Sequence, residues 1–147
     1  MTNTELYERD FVEWSALTAE AIRNGRWSDI DQLVLAEEIE SMGRSDAREV
    51  SSRLVVLVAH LVKWQFQPDK RSPSWQITIN IQRNDVAGLL EESPSLRRKL
   101  NLPKVYRKAV DLAVYEMIYP DKRGLPRQCP WTLEQILDEK FWPGDKT

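Results

Sequence analysis

The feature that most constrains this chain is the run from Val50 to Gln67. There Val50, Leu54, Leu57, Val58, Leu61, Val62 and Trp64 recur at helical spacing before Pro68 stops it. Around residues 54–62 apolar side chains cover most of the helical circumference, so this helix must be enclosed by others. Asp46 and Glu49 stand at capping-box spacing ahead of it, and the predicted helix spans 46–67. A chain of 147 residues is long enough to enclose such an axis without a disulfide or a metal.

The remaining segments supply the partners. Tyr7, Phe11, Trp14, Thr18 and Ala21 form one stripe, with Asn3 or Thr4 as cap and Gly25 as the left-handed residue at its end. Ser28 with Asp31 opens a second helix carrying Ile30, Leu33, Val34, Ala36 and Ile39, and Met42-Gly43 closes it. Residues 75–81 alternate like a strand. Yet Trp75, Ile79, Gln82, Val86, Leu89 and Leu90 also fit a helix capped by Ser74, and a lone strand would leave its backbone unpaired, so helix is the reading. Leu96 to Leu100 makes one or two turns. Pro103 then starts a helix through Val105, Tyr106, Ala109, Val110, Ala113, Val114 and Met117, ending near Tyr119-Pro120. Residues 120–130 read as ordered coil, and Thr132 with Gln135 caps a last helix to Phe141, stopped by Pro143-Gly144. The expected fold is all-α: a compact helical bundle of about five to six helices, with 46–67 as its central buried helix and a short C-terminal helix. No linker divides it, so 1–147 is expected to be a single domain.

Charge is unevenly laid out. Residues 1–50 hold twelve acids and five bases, net −7, whereas residues 51–128 hold fourteen bases and seven acids, net +7. The plain account is acidic helices packed beside basic ones, charges facing at the rim. The functional account is a bipolar surface that docks an anion, nucleic acid or another subunit. The single cysteine, Cys129, can form no internal disulfide, and the start carries no basic and apolar signal pattern. No apolar run nears the roughly 20 residues of a membrane span. A cytoplasmic location without membrane contact is the expectation.

Several motifs stand together: Tyr7-Glu8-Arg9-Asp10-Phe11 with Trp14; Leu35-Ala36-Glu37-Glu38-Ile39-Glu40-Ser41-Met42-Gly43; Ala59-His60-Leu61-Val62-Lys63-Trp64-Gln65-Phe66-Gln67-Pro68; and Cys129-Pro130-Trp131-Thr132 with Phe141-Trp142-Pro143. In this combination, from about Tyr7 to Pro143, the chain resembles the bacterial family catalogued as domain of unknown function 29. The resemblance implies a helical bundle in a prokaryotic, cytoplasmic protein and carries no reaction, cofactor or catalytic residue.

Function must then be read from residues. Glu37 and Glu40 share a helix face, and His60, the single histidine, lies in the most apolar turn of the predicted axis. Were these two helices antiparallel neighbours, Glu37 or Glu40 would approach Arg53 or His60. The plain account is a buried polar network in which Arg44, Arg53 or Arg83 neutralises the acids. The sharper ones are a metal held by Glu37, Glu40 and His60, or acid–base catalysis by a Glu–His pair. Against a metal, the residue three before His60 is Leu57, so the Glu-x-x-His spacing of carboxylate-bridged bundles is missing. No metal and no cofactor is therefore expected.

The second candidate is the basic run with Arg97, Arg98, Lys99, Lys104, Arg107 and Lys108, six bases and no acid. Nucleic acid would use it for phosphates, but Tyr106 belongs to the core stripe and the overall pI of about 5.5 is low for such a domain. A solvated face, or a dock for an acidic partner such as the first fifty residues of another copy, fits better. No phosphate loop, paired-cysteine motif or serine elbow occurs. The favoured reading is a non-enzymatic protein-interaction module, partnered by protein or by its own copies. The alternatives are a small enzyme on Glu37, Glu40 and His60, and nucleic-acid binding through 97–108.

Overall fold

The computed structural model describes residues 1–117 and 122–145, with Arg123 described in its backbone alone. It is all-helical, with no strand among the described residues. The helices are α1 (Asn3–Arg9), α2 (Phe11–Arg23), α3 (Gln32–Phe66), α4 (Pro73–Glu92), α5 (Leu96–Lys99), α6 (Leu102–Glu116) and α7 (Leu133–Leu137). Short 3-10 turns cover Trp27–Asp29, Pro68–Lys70 and Lys122–Gly124. The chain divides into two compact units, Met1–Asp46 and Ala47–Thr147, and α3 begins in the first and ends in the second. None of the described helices is long and apolar enough to cross a membrane.

In the first unit the single N-terminal helix expected from the stripe is two helices. Asp10 separates them: its amide closes α1 on the Leu6 carbonyl at 2.8 Å, and its carboxylate caps α2 by accepting from the Glu13 amide at 3.0 Å. The apolar stripe continues in register across this break, so periodicity alone does not reveal it. Thr2, not Asn3 or Thr4, caps α1, in a reciprocal box with Glu5. Asn3 is thereby released for tertiary work. It accepts from Trp14 Nε1 and from the Asp31 amide, both at 3.1 Å, and donates to Thr18 Oγ1 at 3.3 Å. Trp14, Thr18, Ala21 and Ile30 are buried around it. Tyr7 packs edge-on against Trp14 at 4.8 Å and donates its hydroxyl to Glu38 at 2.7 Å. That bond to a carboxylate is the main reason the Tyr7 phenol is held above its ordinary pKa.

The helix boundary expected at Met42-Gly43 does not exist. Asp31, rather than Ser28, starts α3, accepting from the Leu33 and Val34 amides. Its carboxyl is pushed down, first by the Thr4 hydroxyl and next by the Val34 amide. The helix then runs through Gly43 to Phe66. A mid-helix glycine costs only about 1 kcal/mol against alanine, too little to end a helix with capable flanks. Glu37 and Glu40 reach over Gly43 to Arg44, at 2.6 and 3.7 Å.

The second unit is built as the apolar run demands. Val50, Leu54, Leu57, Val58, Leu61 and Val62 are fully buried. Around them lie Ile79, Val86 and Leu90 of α4, Val105, Tyr106, Ala109 and Ala113 of α6, and Ile136 of α7. Residues 75–81 are helical, inside α4, whose cap is Ser72 rather than Ser74. Asn101 caps α6, which places Pro103 in the first turn, where its missing amide costs nothing. The end expected near Tyr119-Pro120 lies outside the described residues, as do residues 120 and 121 of the expected coil. Thr132 and Gln135 form the expected box, but α7 ends at Leu137 and not Phe141.

Candidate functional site

Each residue read into the polar cluster has hydrogen-bond or ion-pair partners of its own. Glu37 and Glu40 are exposed and paired with Arg44. Arg53 bonds Glu49 one turn before it at 3.2 Å and reaches Asp85 on α4 at 3.0 Å. His60 is half-buried, and its Nδ1 donates to the Val56 carbonyl at 2.8 Å. Burial is the largest influence on its imidazole and pushes its pKa down, and the Lys63 cation adds to this. The Val56 carbonyl and Glu116 oppose it. Glu37, Glu40 and Arg44 belong to the first unit, and Arg53, His60 and Arg83 to the second. No group of three His, Cys, Asp or Glu able to hold a metal occurs among the described residues.

Arg83 is the most deeply placed of the set. It donates Nε to the Ile136 carbonyl at 2.7 Å and Nη2 to the Phe141 carbonyl at 2.6 Å. Burial pushes its guanidinium down, with Asp138 and Glu139 opposing. α7 is ended by Asp138, which turns extended, bonds its amide to the Gln135 carbonyl and takes the Lys140 amide on its carboxylate, so the Ile136 carbonyl is left for Arg83. Trp142, 5.3 Å from this guanidinium, packs on Trp64 with ring centres 4.7 Å apart. Arg71 lies over the other aromatic partner, 4.8 Å from the Trp64 ring, and binds the Trp64 carbonyl at 2.8 Å. The final segment is thus clamped onto α3 and α4. Lys63 is a buried charge that periodicity hides among apolar neighbours. Its ammonium binds Glu116 and sits 5.2 Å from the Trp75 ring. Cys129 donates to the Trp131 carbonyl, and burial pushes its thiol up, away from the reactive thiolate.

The basic run has a different outcome. Lys99, Lys104 and Lys108 line a groove of about 580 Å³ in the second unit. The opposite wall comes from the first turns of α3 within that unit, with Arg48, Ser51 and Ser52. Ala47 and Val55 supply apolar surface over the buried Val105, and Asn101 stands at the start of α6. Lys104 and Lys108 share a face because they are four residues apart. None of the four cations is ion-paired among the described residues, and no carboxylate lines the groove. Arg97, Arg98 and Arg107 are exposed outside it. Sequence reading finds the lysines but misses Arg48, Ser51 and Ser52. The one signal for them is their spacing on the polar side of an otherwise buried helix.

The family model described as Domain of unknown function DUF29 matches residues 6–142. The chain belongs to this family. No curated protein and no solved structure matches it. Membership in DUF29 brings no reaction with it, so the chemistry available to this DUF29 chain is what its residues supply. The groove offers long cationic side chains, two hydroxyls and a small aliphatic surface. That set can hold an anion with some apolar character.

Proposed function

We propose that this chain is a non-enzymatic binding module whose groove docks an acidic segment of a partner protein. One observation carries the reading: Arg48, Lys99, Lys104 and Lys108 line one groove with the partly exposed Ala47 and Val55 and with no carboxylate among them. Three of the four cations are lysines, mobile point charges that suit scattered carboxylates better than the planar fork of arginine does. The aliphatic surface favours a protein segment over nucleic acid. Stacking on bases would call on an aromatic ring, and Tyr106 beside the groove is 2% exposed with its hydroxyl donated to Pro126. The setting proposed is a reducing cytoplasm, in which Cys129 stays a thiol.

The test is anisotropy of a labelled helical peptide carrying glutamates beside one leucine stripe. Binding is expected at low salt, weaker by at least about tenfold at 0.5 M or so, where charges beyond about 4 Å are screened. Lys104→Glu with Lys108→Glu should abolish it, and His60→Gln should leave it unchanged. Retardation of a DNA duplex in place of peptide binding would move the reading to nucleic acid.

A further inference from the structure

We propose that the groove of one copy takes the outer face of α2 from another copy, so that the chain docks onto itself. This rests on the groove being a dock for acidic protein segments and names the segment. The two units of a single chain have opposite charge. Residues 1–46 carry eleven acids and four bases, net −7, while residues 47–147 carry seventeen bases and twelve acids, net +5. Between copies, first unit against first unit and second against second repel, and first against second attracts.

The face of α2 has the chemistry of the groove inverted. Glu13, Leu17 and Glu20 recur at helical spacing on one side of the helix, so an apolar residue stands between two carboxylates. Leu17 is 45% exposed and Val12, beside this face, is 76% exposed. The groove presents aliphatic surface from the partly exposed Ala47 and Val55 between cations on both walls. Little existing pairing is given up on contact. Glu13 has no ion pair among the described residues, and Glu20 meets Arg26 only at 4.0 Å. The other acidic face, Glu37 with Glu40, is already held by Arg44.

Sedimentation velocity of the full chain, with charge-reversed pairs, tests the contact. Wild-type protein should sediment above the monomer at low salt and return to monomer at about 0.5 M, where screening is strong. Lys104→Glu/Lys108→Glu and Glu13→Lys/Glu20→Lys should each be monomeric, with association weakened at least about tenfold. All four positions are exposed, and unchanged thermal melts of both variants establish that they fold. Mixed in equal amounts, the two variants should associate again, because each retains the surface the other has lost. Leu17→Ser should weaken association without altering charge. Monomeric wild type at low salt, undiminished association in either reversed variant, or no recovery on mixing overturns the proposal. If the acidic peptide still binds wild type in that event, the groove reading stands and only self-docking falls. Failure of the peptide as well removes both.

Discussion

At the residue scale, the informative side chains are those whose charge or proton is held inside the fold. Arg83 is 1% exposed, yet it spans two backbone carbonyls that no other group among the described residues serves. Arg83→Met keeps the stem and removes both donors, leaving the Ile136 and Phe141 carbonyls bare. Each unsatisfied buried group costs about 1–3 kcal/mol, so a loss near 3 kcal/mol is expected in denaturant unfolding. A loss under about 0.5 kcal/mol, the size of an ordinary surface change, would show the clamp does not depend on it. His60 makes the pH prediction. Its folded pKa lies below the ordinary 6.5, so the unfolded chain binds more protons between the two values. Stability from this residue is therefore complete above about 6.5 and falls as acid is added, levelling off below the folded value. Wild type minus His60→Gln, measured by urea unfolding across this range, isolates the slope from the carboxylates. A difference that does not vary with pH would refute the assignment. Sequence reading places both residues among its polar candidates but joins them, because nothing in local spacing shows that the donors of Arg83 meet carbonyls more than fifty residues away.

At the element scale, α3 shows what a sequence pattern can and cannot decide. The buried half is plain from its apolar circumference, and six of the residues named for it are fully buried. The spacing misplaces the boundary before it, because Gly43 resembles a stop signal when its neighbours' pairing is unknown. A methyl group built on Gly43 meets nothing within 4 Å, and its backbone φ is not positive. Gly43→Ala should consequently stabilise the protein by up to about 1 kcal/mol, chiefly by restricting the unfolded chain. Thermal melting checks this, and a lower melting temperature would mean the glycine serves a purpose the helix does not reveal. The opposite error occurs at Asp10, where a real break leaves no trace in the stripe because the apolar spacing of the sequence runs on through it. Caps are legible as residue types but not always as positions: Thr132 and Gln135 stand where expected, while Ser72 and Thr2 displace their neighbours by two residues or fewer.

At the scale of the whole molecule, the change in charge near residue 50 is legible in the sequence alone, and the division into units falls close by, after Asp46. The groove is half legible, since a basic run names cations but not the wall opposite them. The units also differ in how much they bury. The main core cluster runs from Val50 to Ile136, all of it in the second unit, whereas the first relies on Trp14, Thr18, Ala21, Ile30 and the bonds of Asn3. Opening free energy follows buried apolar surface, and elements with few buried neighbours open locally well below the global limit. Native-state hydrogen exchange should therefore rank the amides of α2 well below those of residues 54–62 in protection, with a gap of more than about 2 kcal/mol, since each fully buried aliphatic side chain is worth about that much. Asn3→Ala should lower protection in α2 and the Asp31 turn together, because one side chain bonds both, and leave residues 54–62 unchanged. Equal loss across the two units would mean that they unfold as one cooperative body despite their separate cores.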